Sequence, residues 1–320
     1  MRPLPRPRVR FKRKKPETVD APVAPTEIPR RNDGMQHLAH PGRIVDPVAL
    51  DAMLDAAIEQ RGAQNAQAAL VEQLKPVLHS GRREVEARFM ASQDGAAAMA
   101  GNSLLIDTIV QALHRITLET LFPVSNPTKG EKLAIVAVGG YGRAELAPQS
   151  DIDLLFLLPY KATPHTEQVV EFLLYVLWDL GLKVGHATRS VDESLRQAIG
   201  DITIRTALLE ARLVSGDQTL FGDLEKRFES EVIEGSGIGF VDAKLAERDA
   251  RHQRLGDSRY VLEPNIKEGK GGLRDLHGLA WIAKYLFRVR SLQELVDRGI
   301  LSSDEAIRFH RAEIFLWTVR

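Results

Sequence analysis

The sequence contains 320 residues, with 43 basic and 43 acidic side chains, a formal net charge of zero and no cysteine. The zero net charge gives the whole molecule no field that favours nucleic acid or membranes. The lack of cysteine excludes disulfides, thiolate catalysis and cysteine-ligated zinc sites within this chain. With 44% apolar residues the chain can form a real core, and its length predicts about two domains.

The N-terminal residues 1–45 are rich in proline and charge and begin with the basic run MRPLPRPRVRFKRKK. Few apolar side chains are available to be buried there, so we predict a disordered basic tail. Its prolines interrupt a transit-peptide helix, and a weak electrostatic anchor to nucleic acid or lipid is the alternative. No apolar stretch reaches the about 18 residues that span a bilayer. We therefore expect no membrane and no nucleic acid as partners, and a cytoplasmic location.

Helical periodicity predicts two helical runs before the first strand. The first lies in residues 46–95 and is interpreted as a helical N-terminal extension. The second is SLLIDTIVQALHRITLETLF at 103–122, whose apolar residues share one face.

The pattern then changes to short apolar runs rich in β-branched residues, LAIVAV at 133–138 and IDLLFLL at 152–158. Both are typical of buried strands, and KVGHATRS at 183–190 is a candidate third strand. From about residue 204 to 320 the pattern is helical, apart from the loop EPNIKEGKGGLRDLH at 263–277. The last helical run stops in mid-pattern, so we expect a chain cut inside a larger helical domain.

Two carboxylates, Asp151 and Asp153, open the second predicted strand. Residues i and i+2 of a strand point to the same face, so the carboxylates would lie side by side and repel unless a cation binds both. Oxygen ligands of this kind suit Mg²⁺, which commonly bridges to substrate phosphates. An incidental pair of acids in a surface turn is the alternative.

Residues near this pair offer contacts to phosphate. Gly139 and Gly140 follow the first predicted strand, and glycine lets the backbone turn sharply and present its amides to phosphate oxygens. Ser150 offers a hydroxyl, and the guanidinium of Arg143 matches a phosphate. The combination predicts a site for a nucleoside triphosphate with Mg²⁺. There a hydroxyl attacks the α-phosphorus and pyrophosphate leaves, and two metal ions could stabilise the attacking and leaving oxygens.

Four segments of the sequence resemble one family. They are GGYGRAELAPQSDIDLLFLLP at 139–159, VGHATRSVDES at 184–194, TIRTALLEARLVSGD at 203–217 and RHQRLGDSRYVLEPNIKEGKGGLRDLHGLAWIAKY at 251–285. The first segment carries the nucleotidyltransferase signature of two small residues, a spacer and a pair of aspartates around an apolar residue. Together the segments resemble the bifunctional uridylyltransferase/uridylyl-removing enzymes of the nitrogen-regulatory PII protein, over about residues 45–320.

The resemblance implies an α/β nucleotidyltransferase domain of the polymerase-beta-like fold at 96–200. An all-helical substrate domain would follow at 201–320, and the chain would be mainly α overall. It implies transfer of UMP from UTP to a tyrosine of PII, in nitrogen-status signalling, with Asp151 and Asp153 as catalytic residues and Mg²⁺ ligands. The alternatives are an adenylyltransferase acting on another nitrogen-metabolism protein, or a truncated remnant that binds nucleotide or PII without turnover. The chain has no adjacent His-Asp pair, so uridylyl-removing hydrolase activity is not expected in it.

Two departures from the family pattern concern the site. Ala144 stands where the family usually has glycine, and its methyl group is either harmless or crowds the phosphate loop. The superfamily often takes a third carboxylate from the next strand, whereas residues 183–190 contain none. The third metal ligand is therefore unassigned.

The loop at 263–277 carries three cations, Lys267, Lys270 and Arg274. We interpret it as a nucleotide-binding loop that closes over the substrate, and packing for structure alone is the alternative. Asp275 is expected to cap the following helix or to pair with Arg274.

Other polar and aromatic residues are interpreted mainly as structural. His186 and His277 are expected to be hydrogen-bonded rather than catalytic, and Tyr141 either stacks on a base or packs in the core. The three tryptophans lie on apolar helical faces and are predicted to be core: Trp178, Trp281 and Trp317.

Overall fold

The computed structural model describes residues 35, 38–256, 263–289 and 291–320. The described chain is mainly helical around one small sheet, as the sequence predicts. Most of the predicted tail at 1–45 lies outside the described residues. Ile44 and Val45 are nevertheless buried, so the packed body begins before residue 46, because these two apolar side chains join the core.

Within the described residues three α-helices precede the sheet: α1 (Pro47–Arg61), α2 (Ala66–Ser92) and α3 (Gly95–Ile116), the last extended by a π-helical segment at Thr117–Leu121. Together α3 and its extension are longer than the run predicted at 103–122. The segment Gly95–Leu121 is long and apolar enough to cross a membrane by length and composition alone, which the sequence analysis did not expect. However, 72% of its apolar window is buried inside the protein, and this is the burial of a core helix.

The sheet has four strands: β1 (Ala134–Ala137), β2 (Ile152–Leu158), β3 (Val184–Ser190) and β4 (Arg212–Gly216). Their order is β3-β2-β1-β4, with β2 parallel to β3 and β1 antiparallel to both β2 and β4. A single helical turn, α4 (Gly139–Gly142), follows β1, and α5 (Pro164–Asp179) connects β2 to β3. Thr163 caps α5 through a hydrogen bond from the Thr166 amide.

The three strands predicted from the sequence are confirmed, but β4 is not among them. Residues 212–216 fall in the segment 201–320, which was predicted to be helical apart from the loop at 263–277, and that prediction is wrong at these residues. The reason is tertiary: β4 pairs with β1 across the sheet, and no local pattern announces that pairing. The α/β sheet therefore takes one strand from the part of the chain assigned to the helical domain.

The remaining helices are α6 (Val191–Gly200), α7 (Ile202–Leu209), α8 (Gln218–Arg227, followed by a π-helical segment at Phe228–Ile233), α9 (Gly237–Arg254), α10 (Leu273–Phe287), α11 (Leu292–Asp297) and α12 (Ser303–Val319). Both faces of the sheet are buried at β1 and at residues 154–158 of β2. Leu154 and Phe156 of β2 pack with α1, α2, α3 and α5, whereas Leu155 and Leu157 pack with α6, α8 and α10. Burial on both faces explains why β1 and β2 are continuous apolar runs.

Candidate active site

The two predicted carboxylates lie together at the head of β2. Asp151 directly precedes the strand, Asp153 is its second residue, and both are exposed, while Ile152 between them is buried. Desolvation of its carboxylate and the neighbouring charge of Asp151 raise the pKa of Asp153, and the ammonium group of Lys267 acts in the opposite direction. The pair is therefore an electrostatically unsatisfied site that a cation would stabilise.

Two glycines leave room on either side of the Asp153 carboxylate. Gly139 adopts a left-handed backbone conformation with φ of 60°, and a Cβ atom placed on it would lie 3.4 Å from Asp153 Oδ2. Gly185 is the register partner of Asp153 on β3, and a Cβ atom there would lie only 2.6 Å from Asp153 Oδ1. Sequence reasoning did not assign Gly185 to the site. β3 contains no third carboxylate, and its Gly185 instead leaves space for the carboxylate of Asp153.

The segment Gly139–Glu145, here termed the glycine turn, is held in place by a buried network of hydrogen bonds. The Tyr141 hydroxyl donates to Asp107 Oδ1 over 2.7 Å, and Arg212 donates to Asp107 Oδ2 over 2.6 Å and to the Tyr141 carbonyl over 3.1 Å. Tyr141 is buried, so of the two possibilities left open by the sequence it packs in the core. Burial, followed by the charge of Asp107, raises the pKa of Tyr141. Asp107 and Arg212 carried no local sequence signal.

Arg143 belongs to the glycine turn, and its side chain lies in a buried cluster of charged and polar side chains that joins this turn to α10. This cluster is here termed the ionic junction. The Nε of Arg143 donates to Glu145 Oε2 over 2.6 Å, its Nη2 lies 3.5 Å from His277 Nδ1, and Glu210 Oε2 lies 3.9 Å from the Nε. The guanidinium carbon is 5.8 Å from the centre of the Trp281 ring. His277 is buried in this junction, where it has the structural environment expected from the sequence. A contact from Arg143 to phosphate stays a prediction.

Glu145, His277 and Glu313 form a second group that could hold a metal ion, because one ligand atom from each lies within 4.8 Å of the others. The Arg143 guanidinium already supplies a cation to Glu145. No arginine contact to Asp151 or Asp153 is seen among the described residues, and binding of Mg²⁺ by these two carboxylates stays a prediction.

The segment Asn265–Gly272, here termed the glycine loop, folds back on its own backbone. The Asn265 side chain accepts from the Lys267 and Glu268 amides over 3.1 and 2.8 Å, and the Gly269 amide donates to the Asn265 carbonyl over 2.9 Å. A Cβ atom on Gly272 would lie 2.6 Å from the Ile266 carbonyl oxygen. The tight fold holds Lys267 close enough to Asp153 for its charge to act on that carboxylate.

The other predicted residues are placed as follows. Ser150 is partly exposed and directly precedes Asp151, and Gly140 lies beside the Arg143 side chain. Arg274 pairs with Glu268 over 3.3 Å. Lys270 and Arg274 line a cleft of about 500 Å³ between α9 and α10. The structure thus brings Lys267 to the carboxylates, while nucleotide contacts from Lys270 and Arg274 stay predictions.

Two details differ from expectation. Of the two roles predicted for Asp275, pairing with Arg274 is not seen, whereas its carboxylate accepts from the Gly271 amide at the start of α10 over 2.7 Å. Asp275 also contacts the guanidinium of Arg251 and lies 3.0 Å from His252 Nε2, which was not expected. Arg251 lies on α9, 24 positions earlier in the chain, and no local sequence pattern connects it with Asp275. Trp178 is 43% exposed and is not a core residue, whereas Trp281 and Trp317 are buried as predicted.

Known proteins and family models are similar to this chain over most of its length. A family model described as GlnD PII-uridylyltransferase matches residues 239–320, and one described as glutamate-ammonia ligase adenylyltransferase matches residues 97–171. The chain is similar to three proteins named bifunctional uridylyltransferase/uridylyl-removing enzyme. That of Rhodospirillum rubrum is 55% identical over 88% of this chain, that of Azospirillum brasilense 58% over 79%, and that of a Bradyrhizobium species 50% over 86%. The matches cover 30%, 27% and 30% of those relatives, respectively, so the chain spans less than a third of their length.

Proposed function

Since the chain belongs to the family of the bifunctional uridylyltransferase/uridylyl-removing enzymes, we propose that it is a nucleotidyltransferase. It transfers UMP from UTP to a tyrosine of the PII protein and releases pyrophosphate. The observation that carries the proposal is the Asp153 carboxylate, held between Gly139 and Gly185 beside Asp151 and within the field of Lys267. The cytoplasmic location and the role in nitrogen regulation are parts of the same proposal.

The residues present fit a magnesium ion. The two carboxylates offer oxygen ligands only. Desolvation and then repulsion by Asp151 raise the pKa of Asp153, and Gly139 and Gly185 leave space next to its carboxylate. When bound by Asp151 and Asp153, Mg²⁺ would neutralise charge on the phosphate oxygens as the leaving pyrophosphate departs.

The chain's own residues would bind and orient the triphosphate. The backbone amides of Gly139 and Gly140 would donate to phosphate oxygens, and Lys267 would place its ammonium group between the glycine loop and the phosphates. The Ser150 hydroxyl is adjacent to the first carboxylate and would complete these contacts. The tyrosine oxygen would then form a bond to the α-phosphorus while the bond to pyrophosphate breaks, with the hydroxyl proton passing to solvent and the electron pair of the broken bond leaving with pyrophosphate.

The test is transfer of label from α-labelled UTP to PII in Mg²⁺, with the Asp153→Ala variant in parallel. We expect labelled PII with the wild-type chain and a loss of at least about 1,000-fold with the variant, while circular dichroism shows both to be folded. Equal transfer by a folded Asp153→Ala variant would overturn the assignment. No transfer by the folded wild-type chain would instead support a remnant that binds nucleotide or PII without turnover.

Adenylyl transfer is the second candidate, because the model described as glutamate-ammonia ligase adenylyltransferase matches residues 97–171, which include both carboxylates. The residues of the site contact phosphate and metal in the proposal, and none of them selects the base. ATP and UTP are therefore offered together with only one labelled at a time. Label from UTP alone supports uridylyl transfer, and label from ATP alone supports the second candidate.

A further inference from the structure

β3 is the outermost strand of the sheet on the side of the carboxylates. It pairs with β2 on one edge, and no backbone partner on its other edge is found among the described residues. Gly185, His186 and Thr188 are exposed. An exposed strand edge is a template for pairing with another extended chain.

The register tells which backbone groups point outward. The Ile152 amide donates to the Lys183 carbonyl over 2.8 Å, and Ile152 is the register partner of Val184. In a parallel ladder, alternate residues direct their amide and carbonyl groups to the same neighbour. Residues 183, 185 and 187 therefore face β2, while the amides and carbonyls of Val184, His186 and Thr188 face outward. The free edge ends at Ser190, because its amide donates to the Glu193 carboxylate and its carbonyl accepts from the Ser194 hydroxyl of α6.

This edge lies next to the candidate reaction centre. Gly185 is directly beside Asp153, so only a residue without a side chain separates the carboxylate from the edge. A strand added to β3 would lie about 5 Å beyond it. Long aromatic side chains reach across neighbouring and diagonal positions on one face of a sheet. A tyrosine opposite Gly185 on such a strand can extend over that glycine towards Asp153.

The surroundings of the edge define the chemistry of the partner. Residues 180–190, which include β3, contain Lys183 and Arg189 and no acidic residue. Next to them is an exposed aromatic group on α5: the Trp178 ring centre lies 5.8 Å from that of His186 and 5.8 Å from that of Tyr175. An acidic segment with an apolar flank is complementary to this surface. The basic segment MRPLPRPRVRFKRKK of this chain, or the same basic edge of a second copy, would meet like charge.

We propose that the free edge of β3 is the acceptor-docking strand: an extended, acidic segment of the acceptor protein adds to it and presents its tyrosine to Asp153. The inference rests on the proposed function and names how that site receives its protein substrate. Main-chain hydrogen bonds to Val184, His186 and Thr188 give affinity, and the absence of a side chain at Gly185 gives the tyrosine its path.

The experiment removes one outward-facing amide. Thr188→Pro deletes the amide at an edge position, where proline is tolerated, and Thr188→Ala is the matched control that keeps the amide. Binding is measured calorimetrically with a PII variant whose acceptor tyrosine is phenylalanine, so that no reaction occurs. We expect Thr188→Pro to weaken PII binding at least about tenfold, with Thr188→Ala and Mg²⁺–UTP binding unchanged.

A second variant tests the same surface if Thr188→Pro does not fold. Trp178→Ala removes the exposed ring beside the edge and is expected to weaken PII binding severalfold, whereas Met90→Ala, at another exposed apolar position, leaves it unchanged. If folded Thr188→Pro and Trp178→Ala both bind PII as tightly as the wild type does, the docking strand is overturned but the proposed function stands. Absence of both UTP and PII binding in the wild-type chain overturns both. A wild-type dimer that Thr188→Pro converts to a monomer, or PII binding that rises on removal of residues 1–34, assigns the edge to a different occupant and also overturns the proposal.

Discussion

The glycine turn and the glycine loop approach the same site, but their glycines serve different purposes. In the turn, Gly139 makes room for the Asp153 carboxylate, as Gly185 does from β3. In the loop, Gly269 and Gly272 avoid backbone oxygens of the loop itself, at 2.6 Å from the would-be Cβ atoms. The first arrangement keeps space for a ligand, and the second compacts a scaffold that positions Lys267.

The carboxylates beside the two segments also differ, in how far neighbouring groups compensate their charge. Asp275, beside the loop, is compensated by Arg251, His252 and the Gly271 amide. Asp153, beside the turn, lies next to another carboxylate and has a raised pKa. Uncompensated charge marks the place where binding energy for a cation is available, and compensated charge marks structure.

The largest expected effect tests the space beside Asp153. Gly185→Ala would push the Asp153 carboxylate, the far end of a flexible side chain, so the fold should survive while the carboxylate moves. A misplacement of about 1 Å can cost about a hundredfold in rate, and we expect uridylyl transfer to fall by at least that factor with an unchanged unfolding midpoint. Gly222→Ala, where a Cβ atom meets nothing within 4 Å, is the control. Wild-type activity in Gly185→Ala would show that this space is not needed.

The next effect tests the compensated carboxylate. Asp275→Ala leaves the buried Arg251 without its close partner, and breaking such a pair typically costs about 3 kcal/mol. We expect a loss of this size in the free energy of unfolding, measured by urea denaturation. Asp249→Ala removes the exposed partner of Arg248 and should cost less than about 1 kcal/mol. Equal losses in the two variants would show that the contacts of Asp275 stabilise the fold no more than an exposed ion pair does.

A third test compares a glycine of the glycine loop with a glycine of the helix that follows it. Gly272→Ala would press a methyl group against the Ile266 carbonyl oxygen, and we expect a loss of about 2 kcal/mol in the free energy of unfolding. Gly278→Ala in α10 meets no atom within 4 Å and should stabilise the helix by somewhat under about 1 kcal/mol. If both variants have the stability of the wild type, the loop is not the rigid scaffold described.

Much of the site follows from local patterns, whereas its supports do not. The strands β1 and β2 and the pair Asp151 and Asp153 are visible in the sequence because apolar runs and the two-residue period of a strand are local signals. β4 was missed because its pairing with β1 is set by tertiary packing. The partners of Asp275 and the role of Gly185 depend on which elements become neighbours, and no spacing within one segment encodes that.

A smaller effect concerns the end of the glycine turn. Ala144 has a left-handed backbone conformation with φ of 59°, which is unfavourable for any residue with a Cβ atom. This explains physically why glycine suits the position. Ala144→Gly should raise the free energy of unfolding by about 1 kcal/mol, measured by urea denaturation. A lower stability would show that the methyl group contributes more through its burial than it costs in strain.

The smallest effect is the pH dependence of Asp153, measured in EDTA. The pKa of this carboxyl group is raised in the folded protein above its ordinary value of 3.8. The folded state therefore binds the proton more tightly, and stability falls as the pH rises from the ordinary value through the folded pKa. Asp153→Asn should have a higher thermal midpoint than the wild type at pH 7, and the difference should vanish below pH 3.8. A constant or inverted difference would contradict the uncompensated charge.

The central claim is that Asp151 and Asp153 hold a metal–triphosphate complex, and calorimetric titration of UTP in Mg²⁺ tests it most directly. The wild-type chain should bind UTP, EDTA should abolish the binding, and Asp153→Asn should weaken it at least about a hundredfold while Gly278→Ala leaves it unchanged. UTP binding that persists in EDTA, or that is equally tight in Asp153→Asn, would contradict the account.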